Sequence, residues 1–186
     1  MSIRAAAFVP RSFTTAKGAV VTLRAIRADD EAAFNHAFLS LSAETRYSRF
    51  MSVLRQLTPE ALDRATRPDD RYEFALVAVV PGPAGEQVVA GGRCVAMDDP
   101  TSCEFAVTVA DAWQGHGLGR EMLTALRDTA AARGHRAMEG FVLSTNLAMR
   151  RLGARLGFHD GPMPGDATCR HLTVDLGGDG SRAAGP

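Results

Sequence analysis

Three glycines at alternate positions mark the part of the chain best suited to bind a ligand. They lie in the stretch Gln114 to Gly119, which reads Q-G-H-G-L-G and precedes a long helical pattern. Glycine has no Cβ atom, so it tolerates unusual backbone dihedrals and lets a ligand approach the backbone closely. The N-terminus of a helix also carries unpaired N–H groups and about half a positive elementary charge. A small anion, such as a phosphate or a pyrophosphate, is therefore expected at this turn.

Two common nucleotide-binding patterns do not fit the turn. It lacks the Gly-Lys-Ser/Thr ending of a P-loop. It also lacks a dinucleotide-binding context, because the glycines follow Gln114 in a Q-x-x-G-x-G order and no acidic residue ends a second strand about 20 residues further on. A plain structural turn without a ligand is the alternative interpretation.

Two regular elements are expected to position the turn. Cys103 to Ala110 is short, apolar and rich in β-branched or aromatic residues, which predicts a buried strand. After the turn, apolar residues recur at helical spacing up to Gly134, which is a usual residue after a helix end. These apolar residues are Leu118, Met122, Leu123, Leu126 and Ala130. The turn therefore joins the end of a strand to the N-terminus of a helix.

The turn and its flanking residues resemble the acetyl-CoA signature of GNAT-type N-acetyltransferases. The resemblance is carried by Trp113 to Gly119, by the preceding strand Glu104 to Val109, and by the later Asn146 and Gly157-Phe158. It extends over about Thr22 to Val174. It implies an α/β fold of three layers, in which a mixed, mostly antiparallel sheet of six to seven strands is flanked by helices.

The same resemblance implies a binding mode for acetyl-CoA. The amides of the turn would hold the CoA pyrophosphate, and the pantetheine arm would pair with the preceding strand. Arg120 lies near the expected phosphate end, and Asn146 matches a family asparagine that contacts the CoA arm, although a helix N-cap also explains an asparagine there. The predicted cofactor-binding residues are Val107, Thr108, Val109, Gln114, Gly115, His116, Gly117, Leu118, Gly119, Arg120 and Asn146.

Glu104 is the candidate catalytic residue. Acetyl transfer to an amine requires a neutral nitrogen, because an ammonium has no lone pair, and a nearby carboxylate can remove the proton. Glu104 is the one acid in an otherwise apolar strand, where we expect it to be half-buried beside the pantetheine. A structural ion pair with an arginine such as Arg93 is the alternative.

A closer resemblance concerns the acceptor of the acetyl group. Leu41 to Phe50, Leu57 to Glu60, Glu104 to Val107 and Asn146 to Met149 resemble segments of bacterial protein lysine acetyltransferases. This resemblance implies that Glu104 is the general base and that a protein lysine attacks acetyl-CoA directly in a ternary complex. A small amine, such as a polyamine or an antibiotic, is the close alternative acceptor. A CoA-binding regulatory module without turnover is the third hypothesis.

The sequence departs from the family pattern at the general acid. Many GNAT enzymes carry a tyrosine acid where Gly153 stands in this chain, and Tyr47 and Tyr72 are the only tyrosines. An alkyl thiol has a pKa not far above neutrality, so water can protonate the CoA thiolate and no general acid is assigned. Arg46, Tyr47 and Arg49 are candidates for substrate recognition, with a solvated helix face as the alternative.

Composition limits the partners. The chain has 186 residues, 46% of them hydrophobic, and 21 basic residues balance 21 acidic ones. It can therefore bury one substantial core, and neither nucleic acid nor a membrane is an expected partner. The chain has three cysteines without a C-x-x-C pair, which predicts no disulfide framework and a cytoplasmic location. Its five histidines lack metal-ligand spacing, which predicts no metal. The sequence gives no indication of the oligomeric state.

The remaining pattern predicts a single α/β domain. We expect a flexible N-terminal arm over residues 1–18, one acetyltransferase domain over 19–176 and a disordered tail over 177–186. Three strands joined by short loops, at 74–80, 87–96 and 103–110, must pair antiparallel. The helix after the glycine turn is long enough to cross over to a parallel strand at 137–143. A bulge or close packing is expected at Gly91-Gly92.

Overall fold

One mixed sheet with helices on both faces forms the core of the computed structural model, which describes residues 7–83 and 85–177. The eight strands of this described part are ordered β1-β2-β3-β4-β5-β6-β8-β7. The strands are β1 Arg11–Thr14, β2 Val20–Ala25, β3 Glu73–Gly82, β4 Gly85–Ala96, β5 Ser102–Val109, β6 Ala137–Leu143, β7 His159–Met163 and β8 Asp166–Asp175. The helices are α1 Glu31–Ser40, α2 Ala43–Phe50, α3 Pro59–Thr66, α4 Leu118–Ala132 and α5 Leu147–Arg155.

The junction of β5 and β6 is the one parallel pairing in the described sheet. Residues 102–104 of β5 pair with residues 137–139 of β6, and the two strands then diverge. The other neighbouring strands are antiparallel, as the short loops between β3, β4 and β5 require. Helix α4 runs back along the sheet after β5, so that β6 starts at the same end as β5 and lies parallel to it. The mixed, mostly antiparallel sheet of the sequence prediction is thereby confirmed.

Alternating side chains of β5 face two different helix layers. Cys103 and Phe105 are buried in the larger core, together with the apolar face of α4. Glu104 and Ala106 point to the opposite face of the sheet, the face over which α1, α2 and α3 lie. The predicted inward-facing residues of α4 are all buried, namely Leu118, Met122, Leu123, Leu126 and Ala130. Full burial of a leucine or methionine side chain contributes about 1.5–3 kcal/mol.

Two details differ from the sequence prediction, and close packing, one of the two alternatives expected at Gly91-Gly92, is observed at Gly92. Part of the predicted flexible arm is strand β1, because Arg11 to Thr14 pair antiparallel with Leu23 to Val20. With β1 and the short β7, the sheet has eight described strands instead of six to seven. The bulge lies at Val89, which is skipped between the Ala78 and Val79 pairings, whereas Gly92 is required by close packing on Met122 and Leu126. Residues 1–6 and 178–186, in the predicted arm and tail, lie outside the described residues.

A glycine in β6 is required by an aromatic ring on β5. A Cβ atom built at Gly140 would lie 2.5 Å from Phe105 Cε1, deep in the core. We therefore expect Gly140→Ala to lower the free energy of unfolding in urea by about 1–3 kcal/mol, the usual cost of overpacking. Gly161→Ala is the matched control, since its Cβ would meet its nearest atom at an ordinary 3.5 Å. Equal stability of the two variants would contradict this account.

Candidate active site

The divergence of β5 and β6 opens a cavity of about 480 Å³ at the centre of the sheet. Residues of α2, of both diverging strands and of the start of α5 line it, among them Glu104, Val107 and Asn146. Beyond residue 104, the edge of β5 that faces β6 has no partner strand within the described sheet. Backbone groups of Val107, Thr108 and Val109 along this edge are therefore open to pairing by an extended ligand.

Glu104 lines this cavity at the point where the strands separate. It belongs to the last residue pair, with Glu139, of the parallel pairing between β5 and β6. It is exposed, so the half-buried position expected from the sequence is wrong. The physical reason is that β6 departs from β5 immediately after Glu104, which leaves no neighbouring strand to cover it. Among the residues that the structure describes, none forms an ion pair with Glu104. Arg93, the alternative partner, instead contacts Glu73 at 3.5 Å and donates to the carbonyl of Ala65.

Two other carboxylates near Glu104 already have partners. Glu139 is directly opposite Glu104 in the parallel pairing, but it contacts His171 Nε2 at 2.5 Å. The His171 ring in turn stacks on Phe141, with centroids 4.9 Å apart. Asp166 lines the same cavity and accepts hydrogen bonds from the backbone N–H and the hydroxyl of Thr168. Glu104 is therefore the unpaired carboxylate among the described residues that line this cavity.

The glycine turn presents backbone donors at the N-terminus of α4. Gly115 and Gly117 have φ angles of 77° and 89°, a region that glycine adopts without strain. The amides of Gly115, Gly117, Leu118 and Gly119 donate to no acceptor in the described part of the chain. Leu118 as a whole is only 1% exposed, so the more accessible donors of the turn are the amides of Gly115 and Gly117. This arrangement suits an anion, because free N–H groups and the helix dipole act at the same place.

The polar side chains of the turn join it to neighbouring elements. Gln114 Nε2 lies 3.4 Å from both the Val109 carbonyl and the Thr45 hydroxyl. The His116 ring lies against Trp113, with centroids 5.2 Å apart, and its Nδ1 atom has no partner among the described residues. Gln114 therefore supports the shape of the turn, whereas contact of either side chain with CoA stays a prediction.

Sequence reasoning missed Asp111, which fastens α2 to the end of β5. Its carboxylate accepts hydrogen bonds from the Ser42 amide, the Ser42 hydroxyl and the Thr45 hydroxyl, at 2.7–2.8 Å. Partial burial raises the pKa of Asp111, but these hydrogen bonds outweigh it and hold the pKa below its ordinary value. Ser42 is the N-cap of α2, and no local pattern in the sequence indicates its contact with a residue 69 positions away.

The asparagine and arginines predicted near CoA have different surroundings. Asn146 lines the cavity and its side chain accepts from the Met149 amide, so the N-cap role is observed and the ligand role stays a prediction. Arg120 is exposed on the first turn of α4. Arg150 is held by Asp160 at 2.7 Å and by the Ser144 carbonyl, which makes it a structural residue.

Core side chains occupy the space around Gly153, where many GNAT enzymes carry a tyrosine. A Cβ atom at Gly153 would lie 3.1 Å from Leu172 and 3.4 Å from Phe158, so a side chain there would be crowded. Tyr47 and Tyr72 are both exposed, and neither lines the cavity beside Glu104. Within residues 7–83 and 85–177, no tyrosine is therefore placed to protonate a leaving thiolate in that cavity.

A second cavity, of about 400 Å³, lies between helices α1, α2 and α3 and the sheet. Its walls are mostly apolar, and its charged residues are Arg49, Arg64, Glu73 and Arg93. Arg49 and Ala106 line both cavities, so the two spaces adjoin next to Glu104. An acceptor molecule could therefore reach Glu104 from the helix side while a cofactor occupies the strand divergence.

The described residues include neither a metal-binding cluster nor a membrane-spanning helix. The described residues contain no group of three or more His, Cys, Asp or Glu side chains that could hold a metal ion. None of the described helices is long and apolar enough to cross a membrane. Cys103 is fully buried, with its Sγ atom 3.1 Å from that of Cys94, and so faces away from the site.

Comparisons with known proteins agree with this geometry. A family model described as an acetyltransferase (GNAT) domain matches residues 21–159. An acetyltransferase of Pseudomonas aeruginosa is 33% identical over 151 residues, or 81% of each chain. Acetyltransferase Pat of Mycolicibacterium smegmatis is 34% identical over 122 residues, which cover 64% of this chain and 35% of Pat. The chain thus spans about a third of that larger relative.

Solved structures show the same fold. The GNAT domain of S. lividans PAT superposes with a TM-score of 0.82 at 22% identity, covering 89% of this chain and 96% of that domain. The structure of yncA from Salmonella typhimurium, which contains acetyl-CoA, gives a TM-score of 0.66 at 24% identity, with coverage of 89% and 97%. The family match over most of the chain and the strand divergence beside a glycine turn lead to one conclusion: this chain belongs to the GNAT acetyltransferase family, whose members are acyl-CoA-dependent N-acyltransferases.

Proposed function

We propose that this enzyme transfers the acetyl group of acetyl-CoA to the ε-amine of protein lysines, with Glu104 as the general base. The observation that carries the proposal is the cavity at the strand divergence, where the unpaired Glu104 and the open edge of β5 meet. Every other carboxylate described near Glu104 has a partner. A base in this position can act on an amine that enters the same cavity.

The proposed cofactor position follows from the free backbone groups. The pyrophosphate would lie on the amides of residues 115–119, and the pantetheine arm would extend along the edge of β5 from Val109 toward Glu104. Five residues of strand span about 17 Å at the usual rise. An extended arm along this edge would bring the thioester next to Glu104.

The chemistry then requires one proton acceptor in the protein. A lysine ammonium has a pKa of about 10.4, so at neutral pH nearly all of it lacks the lone pair needed for attack. Glu104 would take one proton from the ammonium, and the neutral amine would attack the thioester carbonyl carbon. The resulting intermediate expels the CoA thiolate as the C–S bond breaks, and its nitrogen loses a second proton to water. Water returns a proton to the thiolate, since no tyrosine of the described chain lines this cavity, and Glu104 releases its own proton to solvent.

Two observations bear on the acceptor. The segments of α2, β5 and α5 resemble protein lysine acetyltransferases, and the exposure of Glu104 leaves it within reach of a side chain carried by another protein. The cavity of about 400 Å³ under α1, α2 and α3 favours the second candidate, acetylation of a small amine, because it could enclose a whole small molecule.

An acceptor screen tests the proposal. Lysine-containing peptides and small amines are incubated with acetyl-CoA, and free thiol release is measured. Turnover with lysine peptides supports the protein acceptor, and turnover with small amines alone supports the second candidate. Binding of acetyl-CoA without turnover by any amine would contradict the proposal and leave a non-catalytic CoA-binding module.

Self-modification gives an additional prediction. Lys17 is the only lysine of the chain and lies in an exposed turn between β1 and β2. After incubation with acetyl-CoA, mass spectrometry should find acetylation confined to Lys17 and the N-terminal amine. The variant Lys17→Arg should keep its activity on external acceptors and lose the acetylation at residue 17, while the N-terminal amine can still be acetylated. Acetyl groups mapped to serine or cysteine would contradict amine-directed chemistry.

A further inference from the structure

Arg49 occupies the wall between the two cavities. It lies near the end of α2, is half-buried, and lines both the strand divergence and the space under the helices. Its guanidinium carbon is 4.9 Å from the centre of the neighbouring Phe50 ring. An aromatic ring stabilises the orientation of a guanidinium but does not neutralise its charge. Arg49 is therefore a cation held at the place where acceptor and cofactor would meet.

This cation has no counterion in the described part of the protein. No carboxylate there lies within ion-pair distance of Arg49, and no hydrogen bond from its guanidinium is observed. Burial lowers the pKa of Arg49, the positive charge of Arg93 lowers it further, and the negative charge of Glu104 opposes both. A partly buried charge without a partner costs free energy, so such charges are usually paired.

Most arginines that are buried or half-buried in the described part of the chain have an ion pair or a hydrogen bond; Arg46 has neither, but it lines neither cavity. Arg24 pairs with both Asp30 and Glu86, each at 2.6 Å. Arg93 contacts Glu73 and the Ala65 carbonyl, and so belongs to the wall of the helix-side cavity. Arg49 is thus a half-buried arginine that lines both cavities without an ion pair or a hydrogen bond among the described residues, and a ligand could supply the missing anion.

We propose that Arg49 binds a carboxylate of the acceptor, which places the acceptor amine at Glu104 and its apolar part in the cavity of about 400 Å³. The inference rests on the proposed function, because it assumes that the amine enters beside Glu104. A guanidinium suits this role, since it can hold a carboxylate through two parallel N–H···O bonds. An acceptor with an ammonium and a carboxylate then finds an opposite charge for each group.

The CoA phosphates are a poor match for Arg49. The free amides that suit a pyrophosphate lie beyond the far end of β5, at residues 115–119, whereas Arg49 lies at the Glu104 end of the same strand. The anion is therefore assigned to the acceptor side. It has two chemical sources, the acceptor's own α-carboxylate or an Asp or Glu side chain next to a lysine in a protein segment.

Paired acceptors of equal shape separate these sources. One pair is leucine and leucine amide, and the other is a lysine peptide flanked by glutamate and the same peptide flanked by glutamine. Binding to the CoA-loaded protein is measured by calorimetry, and thiol release from acetyl-CoA is measured with the same compounds. The carboxylate member of at least one pair should bind about 10- to 100-fold more tightly, which is the effect of a charged hydrogen-bonded contact.

The variant Arg49→Gln should remove this preference, and Arg49→Lys should restore part of it. In Arg49→Gln, KM for the carboxylate acceptor should rise about 10- to 100-fold with little change in kcat, while KM for its neutral partner stays the same. Arg155→Gln, which removes an exposed arginine from α5, is the charge-matched control. Circular dichroism checks that each variant is folded.

The leucine pair and the peptide pair can give different results. A preference confined to leucine assigns the carboxylate to a small acceptor, and one confined to the peptide assigns it to a protein side chain, and both support the inference. Equal binding of both members in both pairs would overturn it, whether or not thiol is released. Carboxylate-dependent binding without thiol release would instead contradict the proposed function and leave the Arg49 site in place.

Discussion

Replacing Glu104 with glutamine should lower kcat by about 10²–10⁴-fold, the usual contribution of a positioned general base. Glutamine keeps the shape of the side chain and its hydrogen-bonding reach, but it cannot accept the ammonium proton. The amides that we propose for cofactor binding lie beyond the far end of β5, so affinity for acetyl-CoA should change little. Steady-state kinetics with a lysine peptide and calorimetry with CoA measure the two quantities.

The pH dependence of this variant tests the chemistry directly. Without a base, the reaction depends on the fraction of acceptor that is already neutral, and this fraction rises with pH until the amine pKa of about 10.4. The residual activity of Glu104→Gln should therefore increase more steeply and to higher pH than that of the parent enzyme. A parallel pH profile for the two proteins would remove proton abstraction from the role of Glu104.

Glu139→Gln is a control for the loss of a carboxylate from the same place in the sheet. Glu139 is opposite Glu104 in the parallel pairing, but it contacts His171 and does not line the cavity. Its replacement should leave kcat within a few-fold of the parent value. A large loss in Glu139→Gln with near-parental activity in Glu104→Gln would assign the base to the Glu139 and His171 pair instead.

The sequence carries enough local information to predict the strand, the turn and the helix at which we place the cofactor. Helix α4 follows from its apolar periodicity, and its N-terminus follows from the glycine turn, because both depend on neighbouring residues. The strand Cys103 to Ala110 and its parallel partner at 137–143 were predicted within a residue of their observed bounds. The free amides of Gly115, Gly117, Leu118 and Gly119 are a consequence of these local features.

The acceptor side depends on contacts between distant segments and was not predictable in this way. The exposure of Glu104 arises where β6 leaves β5, because the two strands, whose paired residues are 35 apart in sequence, diverge after residue 104. The hydrogen bond from the Ser42 amide to Asp111 holds α2 against the end of β5, and it joins residues that share no local pattern. Strand β1 was missed for the same reason, since its four residues are a strand only through pairing with β2.

Arg49 is a residue that the local sequence pattern named as a candidate but that only contacts between distant segments could single out. The sequence named it as a candidate for substrate recognition, alongside Arg46 and Tyr47, and could not separate the three. In the structure, Tyr47 is exposed, Arg46 lies 5.7 Å from the Phe38 ring, and neither lines a cavity. Only the packing of α2 on the sheet distinguishes a residue that faces the site from its helix neighbours.

The second large effect is expected from Gly117→Val, which should weaken CoA binding about 100-fold. Gly117 has a φ angle of 89°, and a Cβ atom built there would meet no protein atom within 4 Å. A valine would fit this space, but it disfavours a positive φ, so its preferred dihedrals would turn the N–H groups of the turn away from a bound anion. Loss of charged hydrogen bonds worth about 1.5–3 kcal/mol each accounts for this size of effect.

Gly134→Val separates anion binding from backbone strain. Gly134 lies after the other end of α4, has a φ angle of 93°, and also leaves its built Cβ without a neighbour within 4 Å. Both variants should therefore lose similar stability, about 1–3 kcal/mol for a branched residue in this conformation. Calorimetry with CoA should then show weak binding for Gly117→Val and parental binding for Gly134→Val. Similar affinities in the two variants would mean that the turn is a structural connection and that the pyrophosphate binds elsewhere, since strain alone would then explain both.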